Sequence, residues 1–295
     1  MLINTPNIRD MGRGFSKAFQ RGFDRTIPQY DKLAMVVNST GAEEVYSWML
    51  ELPRMRKWEG SRIIHNLKAV DHTIKNDDFE LTVGVKRSAI EDDRLGVYAL
   101  RMAAMGVQAK IYRDQLVADL LLNGDTATAY DGQFFFDTDH PDGKGGTYSN
   151  LQTGKPLTDA NLESAWTAMT SLTGPDGQSL MAMPTTLVVG PLLKMTARKI
   201  LTLQTLANGA DNPYNGLVEA VVLPQLGTSL DWYLLDLQDE LRGLVIQNRR
   251  EAEFVNMTAS NDENVFFRKE YVYGVDARAG AGYGLPFLAF KSKAA

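Results

Sequence analysis

Between Phe79 and Leu122 the hydrophobic period changes once, from two to about 3.6, and this change restricts the chain more than any other feature. Phe79, Leu81, Val83 and Val85 alternate with Glu80, Thr82, Gly84 and Lys86, the pattern of a half-buried strand. Ser88 and Glu91 then stand at capping-box spacing, in which each side chain satisfies a free backbone donor of the first helical turn. Asp92 and Asp93 add negative charge where the helix dipole favours it. Leu95, Tyr98, Met102, Met105, Ala109, Tyr112, Leu116 and Leu120 keep a helical period as far as Asn123-Gly124, a fitting C-cap. The spacing predicts a helix of roughly thirty residues, ~45 Å long at 1.5 Å per residue. Helices in globular proteins usually run about 8–20 residues. An extended ribbon feeding so long a helix points to an elongated subunit shaped to touch neighbours, and less to a compact enzyme around a pocket.

The chain has 295 residues, 44% hydrophobic and 23% charged, which suits a folded protein with a sizeable core in one or two domains. A formal net charge of −5 argues against a dedicated nucleic-acid binder but leaves room for a local basic patch. Cysteine is absent, which excludes a disulfide framework, a thiolate zinc site and a cysteine nucleophile. No run approaches the ~18 apolar residues of a membrane span, and Met1 to Asp10 does not read as a signal peptide.

Upstream of the ribbon, Phe15, Phe19 and Phe23 stand four apart beside a parallel basic series, Arg9, Arg13, Lys17, Arg21 and Arg25. On a helix these become adjacent faces. Gly12, Gly14 and Gly22 weaken that helix, each by up to ~1 kcal/mol relative to Ala. Three readings compete: an arm that orders against an acidic partner surface, a membrane-surface helix, or an amphipathic helix packed on its own domain.

Ile63, His65, Leu67 and Ala69 also alternate, Asn76-Asp77-Asp78 supplies a turn, and Phe79 to Val85 returns, so a long hairpin is expected from Ser61 to Lys86. Beyond the long helix, Thr158-Asp159 opens a helix through Trp166 and Met169. Leu187 to Val189 reads as a buried strand, followed by a helix through Lys194, Ile200 and Leu203. Short strands are expected at Val218–Leu223, Trp232–Leu235 and Leu244–Gln247. A final hairpin is expected from Phe267 through an Ala279–Gly284 turn to Leu285–Phe290. The layout is α+β.

The run Tyr130 to Gly143 is the one place where metal chemistry is suggested. Asp137, Asp139, His140 and Asp142 offer hard oxygens and one imidazole for a divalent ion. As a calcium loop it fails, because Pro141 occupies the third ligand position and Tyr148 stands where a bidentate Glu belongs. Asp and Pro are equally what a turn requires, and a structural loop is the preferred reading. Gly280-Ala281-Gly282-Tyr283-Gly284 lacks the spacing and the following helix of a dinucleotide loop and reads as a glycine-rich turn. With three His and no Cys, no catalytic constellation emerges.

Three runs, taken together, resemble the major head subunit of Mu-like phages: QYDKLAMVVNS (Gln29 to Ser39), FELTVGVKRSAIEDDRLGVY (Phe79 to Tyr98) and YDGQFFFDTDHP (Tyr130 to Pro141). AGYG (Ala281 to Gly284) agrees with the same family. The likeness covers most of the chain and fades between about Leu206 and Asn264, where no distinctive motif stands.

The resemblance implies a major capsid protein of the Hong Kong 97 fold type, without catalytic activity or cofactor, that self-assembles into hexamers and pentamers of an icosahedral shell around packaged DNA. It maps residues 1–58 to an N-terminal arm, 59–87 to an extended β-hairpin loop and 88–124 to the spine helix of a peripheral domain. Residues 125–264 map mainly to an axial domain with peripheral segments, and 265–295 to a C-terminal hairpin of the peripheral sheet. A separate scaffolding protein, a protease, a portal protein and DNA are the implied partners, with assembly in the bacterial cytoplasm and residence in the virion capsid. The expected assembly contacts are Arg62, Lys68, Lys75, Lys86 and Arg87 facing Glu91, Asp92 and Asp93 of an adjacent subunit, with Phe15 and Phe19 of the arm. The rivals are a metal-dependent hydrolase built on Asp137, Asp139, His140 and Asp142, and a membrane- or nucleic-acid-binding protein built on the basic series.

Overall fold

The long helix expected from the sequence runs from Leu95 to Asn123, 29 residues, in the computed structural model, which describes residues 5–49, 69–92, 95–142, 145–174, 177–205 and 209–294. In chain order the elements are α1 (Thr5–Asp24), α2 (Tyr30–Leu33), β1 (Met35–Asn38), β2 (Glu43–Met49), β3 (Ala69–Lys75), β4 (Asp77–Lys86), α3 (Arg87–Glu91) and α4 (Leu95–Asn123). They continue with β5 (His140–Pro141), β6 (Thr147–Tyr148), β7 (Leu151–Gln152), α5 (Asp159–Thr170), β8 (Thr186–Val189) and α6 (Lys194–Thr202). The last are β9 (Glu219–Val222), β10 (Trp232–Leu235), β11 (Leu244–Met257), α7 (Glu263–Arg268), β12 (Glu270–Tyr283) and β13 (Ala289–Ser292).

Two sheets organise these elements, one of four strands in the order β1-β11-β12-β4 and one of five in the order β7-β13-β10-β8-β9. α4 bridges them. Its N-terminal half sends Met102, Met105 and Ala109 into a core with Phe15 and Phe19 of α1 and with Val85, Tyr271, Tyr273 and Val275 of the four-stranded sheet. Its C-terminal half sends Val117, Ala118 and Leu121 into a second core with Phe135, Phe136, Tyr233 and Tyr283, where the two sheets meet. A third core, with Leu162, Met169, Trp232 and Phe290, lies between the five-stranded sheet, α5 and α6.

Several expectations are corrected. The capping-box residues do not open α4: Ser88 and Glu91 lie inside the separate short helix α3, whose N-cap is Lys86 without a side-chain cap bond, and Asp92 is its C-cap. Asn76 is not a hairpin turn. β4 pairs along its length with β12, Lys86 opposite Glu270 and Asp77 opposite Ala279, while β3 pairs with β2 instead. The glycine run near the C-terminus is strand, with Gly280 and Gly282 opposite Gln247 and Val245 of β11. Nor do residues 265–295 form a hairpin, because β12 belongs to the four-stranded sheet and β13 crosses into the five-stranded one beside β10.

The glycines of α1 also have different roles. A methyl group at Gly22 would strike the Ala103 carbonyl, and one at Gly106 of α4 would strike that of Phe19. The two helices therefore approach at contact distance there, whereas Gly12 and Gly14 have open space around them.

Candidate assembly surface

β2 and β3 form a two-stranded ribbon outside both large sheets, with Glu43 opposite Lys75 and Met49 opposite Ala69. Its base is held by a closed polar network. The Glu44 carboxylate accepts from the backbone N–H groups of Thr40 (2.7 Å) and Gly41 (3.0 Å) and from the Ser39 hydroxyl (2.9 Å). Those bonds, the Thr40 amide foremost, hold its pKa below the ordinary carboxylate value. Asn76, buried at the end of β3, donates to the Ser39 hydroxyl (2.7 Å) and the Gly41 carbonyl (3.1 Å). The Gln247 side-chain amide donates to the Ile74 carbonyl (3.1 Å) and to the Asn76 side-chain oxygen (3.2 Å), and its own oxygen accepts from the Tyr46 hydroxyl (2.9 Å).

Gly280 and Gly282 make this junction possible. A Cβ at Gly282 would overlap the Ile74 side chain, and one at Gly280 would stand 2.5 Å from the Lys75 carbonyl oxygen. The stripe that reads as a turn in the sequence is the seat of the ribbon. Above the clamp, Val45 remains 56% exposed.

The expected contact residues divide three ways. Arg62, Lys68 and Asp93 lie outside the described residues. Lys75, Lys86 and Asp92 are exposed. Arg87 meets Glu91 of its own chain at 3.2 Å with both side chains about half exposed, an arrangement that contributes only ~0–1 kcal/mol. Phe15 and Phe19 are corrected: each is 3% exposed inside the subunit. The Phe15 ring meets Tyr273 edge-on at 5.1 Å and the Phe19 ring meets Phe254 at 5.2 Å. Four-residue spacing placed them on one face, and that face is covered by the subunit's own α4 and sheet.

The acidic loop is built from internal bonds. One oxygen of Asp137 accepts from the Thr138 N–H (2.7 Å) and the other from the Phe134 N–H (3.3 Å), while Asp142 accepts from the Gly146 N–H (2.9 Å). Asp139 is exposed. His140 is fully buried, its Nδ1 2.6 Å from an Asp131 oxygen and its ring stacked on Tyr148 at 5.0 Å. Burial, with smaller additions from Tyr130 and Asp131, drives the Tyr148 phenol far above its usual range; Tyr130 is raised to about 12, chiefly by burial. Among the described residues no three His, Cys, Asp or Glu side chains converge as a metal site.

Charged residues that periodicity passed over do more positioning. Arg113 lies on the buried side of α4 and donates to the Tyr30 hydroxyl (3.2 Å), to Glu251 (3.1 Å) and to the Asn248 side-chain oxygen (2.6 Å). Asp114 accepts from the N–H groups of Gln29 and Tyr30, both at 2.8 Å, and so caps the four-residue α2, while Arg242 donates to the carbonyls at its other end. The buried Lys291 meets Asp125 at 3.1 Å and the Leu122 carbonyl at 3.0 Å, tying the last strand to the end of α4. The available signal was an Arg-Asp pair inside an otherwise apolar helical stripe.

Comparison with known proteins agrees with this architecture. The family described as Mu-like prophage major head subunit gpT matches residues 8–156, 152–226 and 227–295. The major capsid protein of Escherichia phage Mu is 30% identical over 285 residues, 96% of this chain and 72% of the relative. The Mu-like prophage FluMu major head subunit of Haemophilus influenzae is 28% identical, over 95% of this chain and 71% of that protein. Among solved structures, the procapsid of bacteriophage JBD30 superposes with a TM-score of 0.62 at 31% identity, covering 99% of this chain and 76% of that one.

Proposed function

The chain belongs to the Mu-like prophage major head subunit family, and from that premise we propose how it builds a shell. It is a major capsid protein with the Hong Kong 97-type fold, a structural component of the virion capsid. In the proposed arrangement α1 belongs to an arm that packs on its own subunit, and β2 with β3 forms the extended loop that reaches a neighbour. α4 is the spine, the four-stranded sheet the peripheral domain, and the five-stranded sheet the axial domain. Head-to-tail copies close into hexamers and pentamers, because a heterologous contact repeated around an axis generates a ring. A separate scaffolding protein, a protease and a portal complete the assembly in the bacterial cytoplasm, and the shell encloses DNA.

The clamped ribbon is the observation that carries this reading. A two-stranded ribbon is marginal in water by itself. Here its base is locked by Asn76, Glu44 and Gln247 while Val45 stays exposed above, so a second copy is the natural cover.

Replacing residues 47–73 by a short Gly/Ser linker tests it, since Glu44, Tyr46, Ile74 and Asn76 remain. The expected protein keeps its helical signal and a cooperative melt, and electron microscopy shows no shells where the unmodified chain forms them. Normal shells from the linker variant would refute the role given to the ribbon. Loss of the cooperative melt would assign the ribbon to the subunit's own core.

A further inference from the structure

A cleft of about 900 Å³ opens between α1, the end of β11 and α7. Four cations line it, Arg9 and Arg13 from α1, Arg87 at the start of α3 and Lys269 after α7, and no carboxylate does. Ser16, Asn256, Thr258 and Ser260 add neutral donors along its walls. The nearby acids neutralise little of this charge. Asp10 meets Arg13 at 3.5 Å with both side chains largely in solvent, Glu91 meets Arg87 at 3.2 Å with both about half exposed, and Asp262 is turned to the Ala259 N–H at 2.8 Å. Arg9 and Lys269 have no ion-pair partner among the described residues.

The backbone holds this arrangement in place. Lys269 sits at φ +52, a left-handed position where glycine is usual, and its carbonyl accepts from the Arg87 N–H at 2.9 Å. That bond sets two cations side by side across the cleft from α1. On α1 the series continues out of the cleft as Lys17 and Arg21, both exposed and each one i,i+4 step, ~6 Å of rise, beyond the last, and Arg25 is exposed just past the helix end. The inner face of the same helix is buried, so the cations cannot turn inward.

We propose that this face, from Arg9 to Arg25 with Arg87 and Lys269, is the surface the subunit presents to duplex DNA, gripping backbone phosphates without reading sequence. The inference rests on the capsid reading, which puts a polyanion inside the shell. A series of guanidinium and ammonium groups suits a line of phosphates, and hydroxyl and amide donors are common partners of phosphate oxygens. The chain carries a net −5, so the remainder of its surface repels the same polymer and the basic face sets the orientation.

The test uses the full-length, unassembled subunit and a fluorescent 30-base-pair duplex of arbitrary sequence, titrated between 50 and 200 mM salt. Each phosphate contact contributes about 0.9 to the slope of log affinity against log salt. A triple Arg9→Gln, Arg13→Gln, Lys269→Gln variant therefore loses about 2.7 units of slope and roughly 100-fold or more of affinity at 100 mM salt. The control triple Lys194→Gln, Arg198→Gln, Lys199→Gln on α6 removes equal charge and leaves both unchanged. Equal losses in the two triples, or no loss in the first, overturn the inference. Tighter binding of poly-glutamate than of duplex to the unmodified subunit would also overturn it, assigning the cleft to an acidic protein. Electron microscopy separates the two levels: an unmodified subunit that forms normal shells with its scaffolding protein but fails to bind duplex sinks only this inference, and absence of shells from the unmodified subunit and scaffolding protein together sinks the proposed assembly.

Discussion

The loop around His140 and the cleft beside α1 are both dense in charged residues, yet their charges face different things. In the loop, Asp137 and Asp142 accept backbone N–H groups and Asp131 holds a buried His140. In the cleft, Arg9 and Lys269 face open space and the acids that approach Arg13 and Arg87 are themselves solvated. The loop looks like a site in the sequence because its acids are contiguous. The cleft does not, because its cations come from α1, α3 and the residue after α7. Charge density along a chain is therefore a poor guide to function; whether the charges find partners within the fold is the better one.

The largest expected effect lies under the cationic face. Phe19→Ala should lose about 3–5 kcal/mol in denaturant unfolding, since the ring is buried against Phe254 and the α4 core. A loss below 1 kcal/mol would mean that α1 does not pack on its own subunit, and the basic series would no longer be held outward.

A smaller loss is expected in the loop. His140→Ala leaves the buried Asp131 carboxylate with the Gln133 N–H but without its imidazole partner and removes the stack on Tyr148, which should destabilise by about 2 kcal/mol. Chelator treatment should leave the melting temperature of both proteins unchanged. Metal-dependent stabilisation, abolished by His140→Ala, would turn the loop from a self-contained structure into a binding site and erase the contrast with the cleft.

The smallest effect is a pH dependence. Burial is the strongest influence on Asp125 and pushes its pKa up, but hydrogen bonds from Lys293 and Lys291, and their charges, outweigh it and hold the carboxyl below its ordinary value. A carboxyl lowered in the fold stabilises above its unfolded pKa and loses that contribution as pH falls through the folded one. The melting temperature of the unmodified protein should therefore drop more steeply below about pH 4 than that of Asp125→Asn. Parallel curves would show that this internally paired cluster, unlike the network around His140, adds nothing to the fold.

Local pattern reached far into this protein. The period change at Phe79–Leu122 yielded β4 and α4, the Thr158 cap yielded α5, and apolar runs yielded β8, β9 and β10, because each depends on residues a few positions apart. Motif combinations pointed to the capsid family, which the matches over nearly the whole chain establish. Strand partners were beyond reach: β4 looks ready to pair with whatever precedes it, and only the packed sheet puts it beside β12 almost 190 residues later. The same holds for Gly280 and Gly282, whose missing side chains matter because Ile74 and Lys75 rest on them, and for Phe15 and Phe19, whose face is covered from within. Periodicity says that a face is apolar and that a charge is exposed; which surface lies opposite is a property of contacts distant in sequence, and those exist only once the chain has closed on itself.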